Sequence, residues 1–161
     1  MNERSRIGIG IDLHRLAPGR RCVLAGVTFD SPIGPVGHSD GDAVLHAACD
    51  AVLGAAGLDD LGTLFSDRDP RHADRDSAEF CREVMRRVRG IGLAVWSLDT
   101  VVETEAPKLK PMRAAMRARL AELFEVPADR VNVKGKTGEQ LDAIGRGEAI
   151  RATVVALLGP S

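Results

Sequence analysis

The chain has 161 residues, 44% of them hydrophobic and 28% charged, with a formal net charge of −1. That length supports one domain with its own core, expected here over residues 1–161. The near-neutral balance excludes any general attraction to nucleic acid or to an anionic membrane surface. Cys22, Cys49 and Cys81 lack C-x-x-C spacing and read as reduced thiols, no apolar run reaches the roughly 20 residues of a membrane span, and residues 1–6 are polar without a leader core, so a cytoplasmic protein is expected.

Residues 6–14 and 22–29 read as strands, separated by a turn at Pro18-Gly19. The Gly/Pro-rich stretch 30–37 is expected to be a flexible surface loop. Apolar spacing at Val44, Ala48, Ala51, Val52 and Ala55 predicts a helix over 40–57, with Ser39 as its cap and Asp42 completing a capping box. Residues 59–73 form an Asp-rich loop, and a second helix over 76–89 opens on Asp76-Ser77. A Val- and Thr-rich strand covers 95–103, a Pro-bearing turn 106–110, and a third helix runs to about residue 125. Strands over 130–136 and 149–158 close the chain. The order β-β-α-α-β-α-β-β implies an α/β (α+β) fold, a mixed β-sheet with helices packed on one face.

The opening strand carries the strongest chemical signal. Residues two apart on a strand share a face, so Asp12 and His14 project together while Ile7, Ile9, Ile11 and Leu13 form an opposite, apolar face. His46 shares a helical stripe with Asp42 and Asp50. Asp12, His14 and His46 supply the donors of a catalytic zinc centre, two nitrogens and one oxygen with an open fourth position. Taken singly, each also suits an ordinary half-exposed strand or helix surface. Asp40 and Asp42 read as caps on a helix N-terminus, where His38 and Ser39 also suit an anion. Asp60-Leu61-Gly62 and Asp67-Arg68-Asp69 fit turn chemistry or recognition of hydroxyl groups. Lys134, Lys136, Thr137 and Glu139 mark a neighbourhood for phosphate and a cation such as Mg²⁺. The basic run 108–119 reads as a solvated helix face, and Cys49 as a buried core thiol rather than a ligand.

The motifs G-x-G-x-D-x-H (8–14), H-S-D-G-D-x-x-x-H (38–46), D-x-G-x-x-F-x-D-x-D-P (60–70), A-P-K (106–108) and G-R-G-E (145–148) together resemble the 2-C-methyl-D-erythritol 2,4-cyclodiphosphate synthases. The resemblance implies that Asp12, His14 and His46 bind Zn²⁺, or another divalent cation at the same site, and that Glu139 binds Mg²⁺ or Mn²⁺. It implies catalytic roles for His38 and Thr137 in stabilising the transition state. Substrate contacts are implied for Asp12, Leu13, His14, His38 and Ser39. They extend to Asp60, Leu61, Gly62, Phe65, Ser66, Asp67, Arg68 and Asp69 for ribose and polyol hydroxyls. Thr104, Glu105, Ala106, Pro107, Lys108, Leu109 and Lys110 would form a cytosine pocket, and Lys136, Thr137, Gly138 and Glu139 would lie along the diphosphate. Ala143 and Arg146 would face the central cavity of a homotrimer with active sites at its subunit interfaces.

The reaction so implied closes a cyclic diphosphate within a cytidine diphosphate-linked substrate and expels CMP. A zinc-dependent phosphate-ester hydrolase, or a non-catalytic metal-stabilised trimer holding an isoprenoid phosphate, would share the ligand set. Four positions depart from the family pattern. Lys136 stands in a usual T-T-x-E run, Ala143 lacks the usual aromatic, Ser66 replaces a common Pro, and Lys110 replaces an apolar residue.

Overall fold

The computed structural model describes residues 5–37, 39–65 and 76–161. Its elements are β1 (Arg6–Pro18), β2 (Cys22–Leu24), β3 (Val27–Phe29), β4 (Ile33–Pro35), α1 (Ala43–Ala56), α2 (Leu61–Leu64), α3 (Ser77–Gly90), β5 (Leu93–Glu103), α4 (Arg113–Leu123), β6 (Val131–Lys136), α5 (Asp142–Gly145) and β7 (Ala149–Pro160). Five strands form one mixed sheet in the order β4-β1-β7-β5-β6. β1, β7 and β5 are antiparallel neighbours, and β6 runs parallel to β5 after the crossover through α4. The expected fold class holds.

The helix layer begins with two glycines. A Cβ on Gly10 would lie 1.9 Å from the Ala47 carbonyl oxygen, and one on Gly8 2.0 Å from that of Ala51. Only bare backbone lets α1 lie this close to β1. Ala47, Ala48, Ala51 and Ala55 complete the close approach, and Val44, Leu45, Val52 and Leu53 are fully buried. Burying each of those four larger side chains is worth about 1.5–3 kcal/mol relative to exposure. α3 covers α1 from outside through Ala78, Cys81, Val84, Met85 and Val88, leaving Arg82, Arg86 and Arg87 in solvent.

Several local readings change. The strand over 22–29 is a hairpin, β2 and β3, turned through Ala25 (φ 55) and Gly26 (φ 69). Residues 33–35 pair with the end of β1, so the Gly/Pro stretch is held in the sheet, with Gly34 and Pro35 buried, rather than forming a free loop. The first helix starts at Ala43, and its cap is Asp42, not Ser39. Asp42 is sequestered because its carboxylate accepts four backbone N–H bonds, from Ala25, Gly26, Val44 and Leu45. One side chain thereby ties the hairpin turn to the helix start. Its carboxylate is therefore taken up by these backbone groups rather than standing free on the His46 stripe. α2, within the expected Asp-rich loop, is capped by Asp60, and α5 occupies a stretch with no assigned element.

The opposite sheet face is open. Ile7, Ile9, Ile11 and Leu13 are 73%, 62%, 58% and 61% exposed. In register with them, β7 presents Leu157, Val155, Thr153 and Arg151, and β5 presents Ser97, Asp99, Val101 and Glu103. The face grades from apolar at β1 to charged at β5 and β6, where Arg151 pairs with Glu103 and Lys134 with Asp99.

Candidate active site

The even residues of β1 leave the packed layer where the glycines end. Asp12 and His14 continue the face of Gly8 and Gly10, so they project beside α1, where His46 meets them. Asp12 Oδ2 lies 3.0 Å from His14 Nδ1 and 3.0 Å from His46 Nδ1. One donor atom from each residue falls within 4.8 Å of the others. The His14 contact is close yet is not aligned as a hydrogen bond, which leaves its buried Nδ1 without a partner. A buried ring nitrogen aimed at a carboxylate without a shared proton is the arrangement a cation completes. Two imidazole nitrogens and one carboxylate oxygen fit a divalent transition metal such as zinc, with a position left open.

Electrostatics agree with that donor set. Burial alone would favour neutral Asp12, but the close contacts and charges of His14 and His46 outweigh it and hold its carboxyl far below the usual range. Burial disfavours the His46 imidazolium, and Asp12, with Asp42 and Asp40 beyond it, reverses the balance and raises its pKa. Burial raises Asp42 to about 6, against the bonds from Gly26, Leu45 and Ala25.

The three donors line a cleft of about 350 Å³ that also holds Leu13, Ser39, Leu61, Gly62 and Phe65 of the expected substrate contacts. Sequence reasoning did not anticipate Arg15, Val36, Gly37 or Phe80 there. Phe80 stacks at a tilt on Phe65, ring centroids 4.8 Å apart, and forms an apolar wall beside His46. Asp60 caps α2 through Thr63 N–H at the cleft's edge, and Asp50 accepts from Leu61 N–H. His38, Ser66, Asp67, Arg68 and Asp69 lie outside the described residues.

A second cleft, of about 280 Å³, opens at the β6 edge. It gathers Thr104, Pro107, Lys108, Leu109, Lys110, Lys136 and Thr137, together with Arg113 and Gly135. Glu105 accepts from Gly138 N–H, and Ala106 precedes a cis Pro107. Thr137 donates its hydroxyl to Glu139, which sits at φ 50. Lys108, Lys110, Arg113 and Lys136 make this cleft cationic, suited to a phosphate-bearing ligand. Ala143 and Arg146 belong to neither cleft: they lie on and just after α5, and Arg146 pairs with Glu148. Cys49 does not join the metal donors; its sulfur lies 3.5 Å from that of Cys81 in the core.

A mixed sheet with helices on one side, an Asp-His-His donor set and a cation-rich edge defines an α/β protein with a candidate metal centre and a separate cationic cleft. The model of the YgbB family matches residues 5–159, and the chain belongs to that family. It is 48% identical over 153 residues to the 2-C-methyl-D-erythritol 2,4-cyclodiphosphate synthase of Burkholderia mallei (strain SAVP1), covering 95% of this chain and 94% of that one. A solved 2C-methyl-D-erythritol-2,4-cyclodiphosphate synthase in its CDP-bound form superposes with a TM-score of 0.88 at 43% identity, covering 95% of this chain and 99% of the other. The bifunctional IspDF of Campylobacter jejuni gives a TM-score of 0.95 at 35% identity over 99% of this chain, which spans only 43% of that larger protein.

Proposed function

We propose that the chain is a 2-C-methyl-D-erythritol 2,4-cyclodiphosphate synthase, a CMP-releasing lyase of isoprenoid precursor synthesis. The observation that carries this reading is the convergence of Asp12, His14 and His46 in a cleft of a fold that matches such synthases over nearly the whole chain. The 2-phosphate of 4-diphosphocytidyl-2-C-methyl-D-erythritol 2-phosphate attacks the β-phosphorus. A new P–O bond closes the ring as the bond to CMP breaks, and CMP leaves with the electron pair. No protein nucleophile is needed, so catalysis rests on positioning and charge.

Asp12, His14 and His46 would hold Zn²⁺ or a similar divalent cation, and Glu139 Mg²⁺ or Mn²⁺, supplying Lewis-acid charge neutralisation to the phosphates. Thr137, with His38, would stabilise the transition state, and Lys136 adds a fixed positive charge beside Thr137. Ser39 would contact the phosphorylated polyol, with Asp60, Leu61, Gly62, Phe65 and residues 66–69 around its hydroxyls and the ribose. The stretch 104–110 would enclose cytosine, using mainly backbone groups.

The active assembly is a homotrimer. Support comes from the open apolar face of β1, which no element of the same chain covers among the described residues. Support also comes from the two clefts lying toward opposite ends of the sheet, one beside β1 and one at β6. β1 and β6 are three strand spacings apart, about 14 Å. A closed three-fold ring would bring the β6 edge of one copy to the β1 side of the next. Ala143 and Arg146 would then face the ring's centre. No described helix is long and apolar enough to cross a membrane, and a biosynthetic enzyme of this kind would work in the cytoplasm.

Phosphorus NMR of the protein with Zn²⁺, Mg²⁺ and the diphosphocytidyl substrate tests the reading. CMP with a cyclic diphosphate is the expected result. A linear product would instead indicate a phosphate-ester hydrolase.

A further inference from the structure

Resting on the metal-centre reading above, the geometry points to Ser77 and Asp40 as positioning residues. Together they fix His46 in the tautomer that presents a free Nδ1 lone pair to the cation. The outward nitrogen of the His46 ring, Nε2, lies 2.9 Å from the hydroxyl of Ser77, the first residue of α3. That hydroxyl lies 2.5 Å from Asp40 Oδ1, and Ser77 N–H donates to Asp40 Oδ2 at 3.1 Å. Both carboxylate oxygens thus grip one buried serine.

The direction of these bonds follows from counting protons. An ionised carboxylate only accepts, and a serine hydroxyl has a single hydrogen, so Ser77 donates it to Asp40. The Ser77 oxygen then offers only lone pairs to Nε2, and Nε2 must carry the ring proton. In neutral imidazole this leaves Nδ1 unprotonated, facing Asp12 Oδ2 at 3.0 Å. The opposite tautomer would set two lone pairs against each other at Nε2. Ser39 Oγ is the more distant neighbour of Nε2, at 3.2 Å, and does not share the Asp40 grip.

The arrangement also couples elements. Asp40 precedes α1, Ser77 opens α3 and Asp12 is on β1, so the ligand on α1 is oriented from the helix that covers it. Ligating histidines generally depend on such a partner for orientation and basicity, and its loss weakens metal binding by about 10–100-fold.

The test is Zn²⁺ affinity of the metal-free full chain, measured by competition with a chromogenic chelator, with melting temperature as the check on folding. Ser77→Ala removes the acceptor and is expected to weaken Zn²⁺ binding by about 10–100-fold. Asp40→Asn keeps the volume but replaces one acceptor oxygen with an N–H donor where Ser77 O–H, Ser77 N–H and Asp42 N–H all need acceptors, which breaks the grip that holds the serine proton away from Nε2. It is expected to weaken binding comparably. Affinities within twofold of the wild type in natively folded variants would overturn the proposal.

One measurement needs no variant. In the Zn²⁺-loaded wild type, proton NMR is expected to show a slowly exchanging Nε2 proton on His46. A rapidly exchanging proton there, or metal bound through Nε2, would overturn it as well. If the wild type itself holds no zinc, the metal-centre reading fails first, an outcome distinct from tight binding that ignores Ser77.

Discussion

One strand shows two different faces. The even side of β1, Gly8, Gly10, Asp12 and His14, is packed and chemically specialised; the odd side, Ile7, Ile9, Ile11 and Leu13, is apolar and open to solvent. Ordinary amphipathic strands put hydrophobic residues inward and polar ones outward. Here the inward side is glycine followed by metal donors, because α1 lies too close to admit larger residues before the strand reaches the cleft. The outward side is hydrophobic because its proposed cover is another copy of the chain. A large exposed apolar patch marks a surface that expects a partner.

The largest effect should come from the covered side. His46→Ala is expected to abolish zinc binding and cut turnover by more than about 100-fold, beyond what loss of a supporting partner causes. The variant should keep its fold and oligomeric state by sedimentation. Retained activity would break the assignment of the inward face to chemistry. Next, Gly10→Ala places a methyl group against the Ala47 carbonyl. It should destabilise the protein by about 3 kcal/mol through overpacking, read as a lower thermal midpoint. An unchanged midpoint would mean that α1 can lift off β1 without penalty.

On the open side, Ile9→Asp should leave a folded monomer, dissociating the proposed trimer and lowering activity as the proposed shared site comes apart. Light scattering after size exclusion checks the first point. An intact trimer would remove the odd face from the interface.

The smallest effect concerns the charged end of that face. The Arg151 guanidinium bonds both Glu103 oxygens, and this bond outweighs partial burial to hold the Glu103 pKa below its usual 4.5. Because the folded pKa is depressed, the stabilisation is present above pH 4.5 and is lost as pH falls through the lower folded value. Both groups still reach solvent, so screening keeps the contribution below about 1 kcal/mol. Glu103→Gln should flatten the acid limb of the thermal midpoint by a correspondingly small amount. A larger change would show that the pair is buried in the assembly.

Asp12 and His14 were legible as a pair because strand alternation puts them on one face; His46, on a helix, was joined to them by residue type and by the family resemblance. The capping of α1 was less so. Ser39 and Asp42 match a capping box by spacing, yet Asp42 alone caps, because the hairpin turn at Ala25 and Gly26 brings further N–H groups that only its carboxylate satisfies. That turn is seventeen to sixteen residues away in sequence, beyond any local rule. β4 was hidden by its Gly and Pro residues, which read locally as loop but sit at the sheet's edge, where an unpaired proline nitrogen is tolerated.

Ser77 shows the same limit from the other side. Beside Asp76 it read as part of a helix start, and α3 does begin there, capped by Asp76. Nothing local says that its hydroxyl reaches His46, thirty-one residues earlier. The sequence alone set the order of the long elements, the two faces of β1 and the residue types of the donor set, because each follows from side-chain type and backbone period. The tertiary structure decided which carboxylates cap, which clamp and which would bind metal. Those roles depend on which proton donors approach from distant segments, and only packing α1 between β1 and α3 brings them there.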